Sequence, residues 1–134
     1  MTAFAPPADA ITITFPQPAR LINMNHRDNR YERARAVKAW RTTTRDYAKY
    51  ANVVLVRCRD LPPSFVAITI DVPTRARRDP INLTPVLKAA TDGLVDAGVF
   101  RDDTPEYVTT LEPRLRHSPD RLVTIHIWPR DGAA

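Results

Sequence analysis

A single cysteine, Cys58, leaves the chain without any internal disulfide and without the thiolates for a cysteine-rich zinc site. The histidines and that cysteine show no metal-ligand spacing, and no glycine-rich loop is present to cradle a phosphate. No internal repeat recurs, which excludes solenoid and propeller architectures. No apolar run is long enough to span a bilayer and no signal peptide is recognisable, so a cytoplasmic protein without membrane association is expected. Lysine is scarce too. Of 20 cationic side chains, 17 are arginine, the residue that forks onto phosphate oxygens.

Against those absences stands a basic chain of 134 residues with net charge +5 and a pI near 9.9. That length suits one domain, and a 43% hydrophobic content suits an ordinary soluble core. The charge is concentrated. Residues 20–49 carry nine Lys or Arg against three Asp or Glu, a surplus larger than that of the whole chain. A basic scaffold with no nucleic-acid role remains compatible with charge alone.

The expected organisation is a frayed tail over 1–10, a single domain over 11–129 and a loose tail over 130–134. Residues 11–15 alternate Ile and Phe with Thr and read as a strand with one buried face, ended by Pro16 and Pro18. Residues 20–30 are polar and irregular, a loop in which His26, Arg27 and Arg30 are placed to meet a phosphate or simply to be solvated. A helix follows over about 31–58. Its buried face is expected at Ala36, Trp40, Thr43, Tyr47 and Ala51, and a basic stripe at Lys38, Arg41, Arg45 and Lys49. The β-branched run 52–56 is taken as the end of that helix.

After the breaker at 60–64, residues 65–72 alternate as a second strand. A second helix starts at Thr84, with Pro85 at its first position and Asn82 as the alternative cap, and stops at Gly98. Its core face is Leu87, Ala90, Leu94 and Ala97. Residues 107–111 and 122–128 read as two further strands, joined by 112–120 into an antiparallel hairpin, with His126 packed or at the surface. The fold class is therefore α+β: a small mixed sheet in βαβαββ order with two helices on one face.

The chemistry gathers between residues 75 and 103. Arg75, Arg77 and Arg78 precede Asp79; Lys88 and Asp92 share a helix face; Asp102 and Asp103 close the segment. Pro80 holds Asp79 towards extended backbone. A turn after Gly98 brings Asp102 and Asp103 back towards Asp79, where converging carboxylates repel unless a cation lies between them. Magnesium suits an oxygen-only site of that kind. An exposed helical ion pair and a capping Asp-Asp turn are the plainer alternatives.

Residues 79–103, DPINLTPVLKAATDGLVDAGVFRDD, resemble the signature of RusA-type Holliday junction resolvases: D-x-D-N, a short gap, K-x-x-x-D-x-L, a glycine and a closing D-D. The upstream RARR, and the LINMNHR loop before a basic helix, match that family's layout. The resemblance implies a RusA-like homodimer that binds four-way DNA junctions and nicks them symmetrically with Mg²⁺, or Mn²⁺ in its place. It implies a bacterial cell or a phage-infected host as the setting. By position, Asp79 and Asp103 match metal-binding aspartates, with Asp102 a further candidate ligand. Lys88 matches the lysine needed for cleavage, and Asn82 and Asp92 are supporting motif positions. Arg27, Arg30, Lys38, Arg41, Arg45, Lys49, Arg75, Arg77 and Arg78 become the candidate DNA-binding residues. Ile81 stands where the family carries a second metal-binding aspartate, and about three extra residues separate Asn82 from Lys88. Two outcomes stay open: a variant motif that still cuts, or a protein that binds junctions and cuts poorly.

Overall fold

A computed structural model describes residues 5–24, 29–51, 60–73 and 79–130. Its elements run β1 (Ile11–Pro16), α1 (Arg30–Ala51), β2 (Ser64–Val72), α2 (Thr84–Asp96), β3 (Val108–Thr110), β4 (Arg114–His117) and β5 (Leu122–Pro129). A 3-10 turn, Pro80–Leu83, leads directly into α2. The architecture is α+β, a five-stranded mixed sheet with two helices.

The sheet is organised around β5 and β2. β5 pairs antiparallel with β1 on one side and with β2 on the other. The register aligns three apolar rows across it: Ile11–Ile127–Val66, Ile13–Ile125–Ile68 and Phe15–Val123–Ile70. Period-two alternation places all nine side chains on one face. The helices contribute Ala36, Trp40 and Ala48 from α1, and Val86, Leu87 and Leu94 from α2, to the same core cluster.

The expected hairpin does not form. β3 and β4 instead lie one after the other along the far edge of β2, both parallel to it. β4 falls inside the segment expected to be a connection, so the order is βαβαβββ. Strands of three and four residues are too short to declare a period, and Pro113 separates them. β4 is held by a buried carboxylate. Asp71, 2% exposed, takes two hydrogen bonds from the Arg116 guanidinium at 2.8 and 3.0 Å and a third from the Leu122 amide at 3.1 Å. The Arg116 bonds pull the Asp71 carboxyl below its ordinary value, against the opposing effect of burial.

On the opposite sheet face, Phe65 and Trp128 pack with ring centroids 5.6 Å apart. His126 lies on this face, paired with Thr12 and Ala67 across the ladder, and burial pushes its pKa down.

Helix α1 begins at an uncharged cap, Asn29, whose Oδ1 accepts from the amides of Tyr31 (2.8 Å) and Glu32 (3.2 Å). Its buried positions are Ala36, Trp40, Thr44, Ala48 and Ala51. Thr43 is half-buried, and Tyr47 is exposed while stacking on Phe15 at 5.2 Å. The expected face was thus displaced by one residue in its middle, because Thr44 can enter the core once its hydroxyl donates to the Trp40 carbonyl at 2.7 Å. The assignment of 52–56 to the helix end lies outside the described residues.

Helix α2 buries more than the expected stripe, adding Val86, Ala89, Thr91 and Gly93 to Leu87, Ala90 and Leu94, while Ala97 is only half-buried. It packs along α1 and shares the core cluster with it, while α1 itself also meets β1 through Tyr47 and Phe15. At the crossing, a Cβ added to Gly93 would lie 2.4 Å from the Arg41 carbonyl oxygen. Gly98, with φ of +81°, ends the helix, as the sequence predicts. No helix among the described residues is long and apolar enough to cross a membrane.

Candidate active site on helix α2

The site begins where Pro80 forces its predecessor out of helical backbone. Asp79 has φ −96° and ψ 112°, as the Asp-Pro sequence requires. Its carboxylate serves the turn: Oδ1 accepts from the Ile81 amide at 3.3 Å, and its carbonyl accepts from the Asn82 amide at 3.0 Å. Thr84, the expected N-cap, is the first residue of α2, and its hydroxyl donates back to the Ile81 carbonyl at 2.6 Å. Ile81, where the resolvase pattern has an aspartate, is 50% exposed.

One turn into α2, Lys88 Nζ donates to Asp92 Oδ1 at 3.0 Å and also to Asp103 Oδ2. Asp103 returns to the helix because Gly98 reverses the chain and Val99 and Phe100 bury themselves in the core. Asp102 Oδ1 accepts from the Asp103 amide at 2.7 Å, fixing the turn that presents the second carboxylate. The Lys88 hydrogen bond holds the Asp103 carboxyl below the usual carboxylate range, and Asp103, then Asp92, raise the Lys88 pKa in return. The structure therefore brings Lys88, Asp92, Asp102 and Asp103 together. The expected convergence occurs on Lys88, within α2, rather than on Asp79.

Two features went unseen in the sequence. Lys88, Asp92 and Asp96 recur every four residues along α2, so the stripe continues past the motif. Asp96 takes a bidentate pair from Arg41, at 2.6 and 2.9 Å, which raises the Arg41 pKa and lowers that of Asp96. Asp92 adds to the raising of Arg41. The basic stripe of α1 thus runs beside the acidic stripe of α2. The spacing of Asp92 and Asp96 carried that signal, but the partner helix was not identifiable from sequence. Second, the loop before α1 is tied to the motif. The Met24 amide donates to the Asn82 carbonyl at 2.8 Å, Arg33 Nη1 donates to the Asn23 carbonyl at 3.2 Å, and buried Ile22 anchors the segment.

The candidate DNA-binding residues divide accordingly. Arg41 is engaged by Asp96, and Arg45 Nε by Asp46 at 2.9 Å. Lys38 and Lys49 are exposed. A groove of about 470 Å³ on α1 is lined by Arg30, Arg33, Val37, Lys38 and Arg41, and the Arg30 guanidinium lies 5.8 Å from the Tyr31 ring centroid. Arg27, Arg75, Arg77 and Arg78 lie outside the described residues.

Among the described residues, no three Asp, Glu, His or Cys side chains gather as a metal-binding group. The Asp92 and Asp103 carboxylates instead converge on one cationic atom, Lys88 Nζ. No protein-family model matches the chain, and no curated protein matches it.

Proposed function

We propose that the chain is a Mg²⁺-dependent, structure-selective endonuclease that acts as a homodimer and resolves four-way DNA junctions by paired symmetric nicks. The observation that carries the reading is the shared hold of Asp92 and Asp103 on Lys88, at the positions of the RusA-type motif. A lone helical ion pair would not require a third residue fifteen positions away to fold back onto the same ammonium.

In this reading Asp103 and Asp92 would hold the ion, and Asp102 fixes the turn that presents Asp103. The ion, when bound, lowers the pKa of a water and offsets the charge of the scissile phosphate. Lys88 places its ammonium against the charge that grows on the phosphate oxygens. Arg30 and Lys38 hold backbone phosphates on the groove of α1, which gives salt-dependent affinity with little sequence preference. Selection for junctions then follows from shape and bending. A two-fold dimer matches the two equivalent strands of a two-fold symmetric junction.

Lys88→Ala tests the assignment. Junction binding in a gel shift stays near wild type while nicked product disappears. Loss of binding together with product would place Lys88 among the general phosphate contacts and remove its catalytic role.

A second reading is favoured by one residue. Ile81 is exposed and apolar at the position of a family carboxylate, and hard cations are held mainly by carboxylate charge. The chain would then bind branched DNA without cutting it. Ile81→Asp distinguishes the readings, since an enzyme limited by this position gains activity with the added carboxylate, whereas a binding module gains none.

A further inference from the structure

Helix α1 opens on an exposed aromatic ring set among cations. Tyr31 is 69% exposed, and the Arg30 guanidinium lies 5.8 Å from its ring centroid. Ala34 and Lys38, one and two turns further on, share its side of the helix, and both are exposed. They also line the groove of about 470 Å³, together with Arg30, Arg33, Val37 and Arg41. We propose that this groove is a subsite for unpaired nucleotides, in which Tyr31 stacks on a base while Arg30 and Lys38 hold the flanking phosphates. The inference rests on the nucleic-acid reading of α1 and is independent of the metal-dependent step.

The lining argues for a single strand. Phosphates alone would call for cations alone, yet Ala34 and Val37 give the groove an apolar floor. An unpaired base has a π-face that covers such a floor and stacks on a tyrosine, whatever the base. In duplex that face is already taken by the neighbouring base pair. Eight positions separate Arg30 from Lys38, about 12 Å along the helix axis. At the stacked rise of one strand that distance spans about three to four nucleotides.

The charges around the ring are arranged for an anion from outside. Arg33 is tied to the Asn23 carbonyl and Arg41 to Asp96, so these two form walls. No ion pair among the described residues involves Arg30 or Lys38. Glu32, next to Tyr31 in the chain, is turned to Arg20 at 3.9 Å. Asn29 Oδ1 holds Tyr31 through its backbone amide at 2.8 Å, which leaves the ring to project from a fixed first turn. At its Arg41 end the groove meets Asp96, in the α2 stripe that begins at Lys88. A strand lying in it is delivered beside that stripe.

The test uses the full-length protein without added metal. Fluorescence anisotropy measures binding at low salt to three labelled probes of equal length: a thymine single strand, the same strand with abasic sites, and a duplex. The abasic probe keeps the phosphates and removes the bases. Stacking predicts that Tyr31→Leu weakens binding to the thymine strand by about five- to hundredfold, the range for one stacked base. Tyr31→Phe, which keeps the π-face, stays close to wild type. On the abasic strand and the duplex, Tyr31→Leu binds as wild type does, and its melting temperature is unchanged because the ring is exposed. Equal loss on all three probes, or no loss on any, overturns the stacking while leaving DNA binding by α1 in place. A change of sedimentation in Tyr31→Leu with unaltered DNA affinity also overturns it and assigns the ring to a contact between copies of the chain. No binding of any probe by wild type overturns both the stacking and the nucleic-acid reading.

Discussion

The Asp103 carboxylate receives the ammonium of Lys88, a residue fifteen positions earlier in the chain, across the turn that ends α2. Asp92, one helical turn from Lys88, shares that ammonium. Both pairs are half-exposed, so their worth to stability is small, at most about 1 kcal/mol each. Asp103→Asn is therefore expected to melt within a few degrees of wild type while losing junction cleavage. A large fall in melting temperature would make the contact structural.

The crossing of α1 and α2 is set by a missing side chain. Gly93→Ala places a Cβ 2.4 Å from the Arg41 carbonyl oxygen and 2.9 Å from Thr44 Cβ, and neither is the end of a flexible chain. Helix propensity favours alanine by about 1 kcal/mol. Overpacking of a buried backbone contact costs about 1–3 kcal/mol and outweighs it. Urea unfolding should show a net loss of stability; a gain would mean that the helices separate easily.

Lys38 and Arg41, two of the cations lining the α1 groove, differ in that Arg41 is paired with Asp96. Lys38→Gln should weaken junction binding and flatten its dependence on salt, since each phosphate contact removed lowers the slope by about one counterion. Its stability should stay within about 0.5 kcal/mol of wild type. Arg41→Gln should instead lower stability, by no more than about 1 kcal/mol, through loss of the bidentate Asp96 pair. Filter binding at several salt concentrations, with melting curves, distinguishes the two. Equal effects on binding would mean that Arg41 leaves Asp96 to contact DNA.

How much of this was readable in the sequence depended on the range of each signal. β1, β2 and β5 alternate over six to nine residues and were placed within a residue or so. The proline and glycine punctuation of α2 was legible for the same reason, since Pro80, Pro85 and Gly98 act through local backbone sterics. The partner of each strand was not legible. β5 lies between β1 and β2, a choice made by burial of three apolar rows that no local pattern encodes. Asp71 appeared as one polar residue in a strand, yet it is the buried anchor of β4 through Arg116, 45 residues away. At the site, the residue types were evident, but their convergence on Lys88 depended on how far the Gly98 turn carries the chain back.

Acid should unfold the protein partly through Asp71. Its folded-state pKa is depressed from the ordinary value of 3.8, so its contribution is fully present above that value. It is lost as pH falls through the lower folded-state pKa. Asp96 and Asp103 are shifted in the same direction and add to the trend. Stability measured by urea unfolding should hold from pH 7 to about pH 5, then fall below about pH 4. Asp71→Asn should be less stable at pH 7 and show a shallower fall in acid. Parallel curves for the two proteins would remove Asp71 from the acid response.

The central claim is tested most directly by cleavage of a mobile four-way junction against matched duplex, with Mg²⁺ or Mn²⁺, for wild type, Asp79→Asn and Asp103→Asn. The account predicts paired symmetric nicks in the junction, an uncut duplex, and no product from Asp103→Asn with either metal. Asp79→Asn reports whether the first motif aspartate, which is occupied by the turn at Ile81, also serves the reaction. Tight junction binding without nicks in either metal would contradict the account and identify the chain as a junction-binding protein.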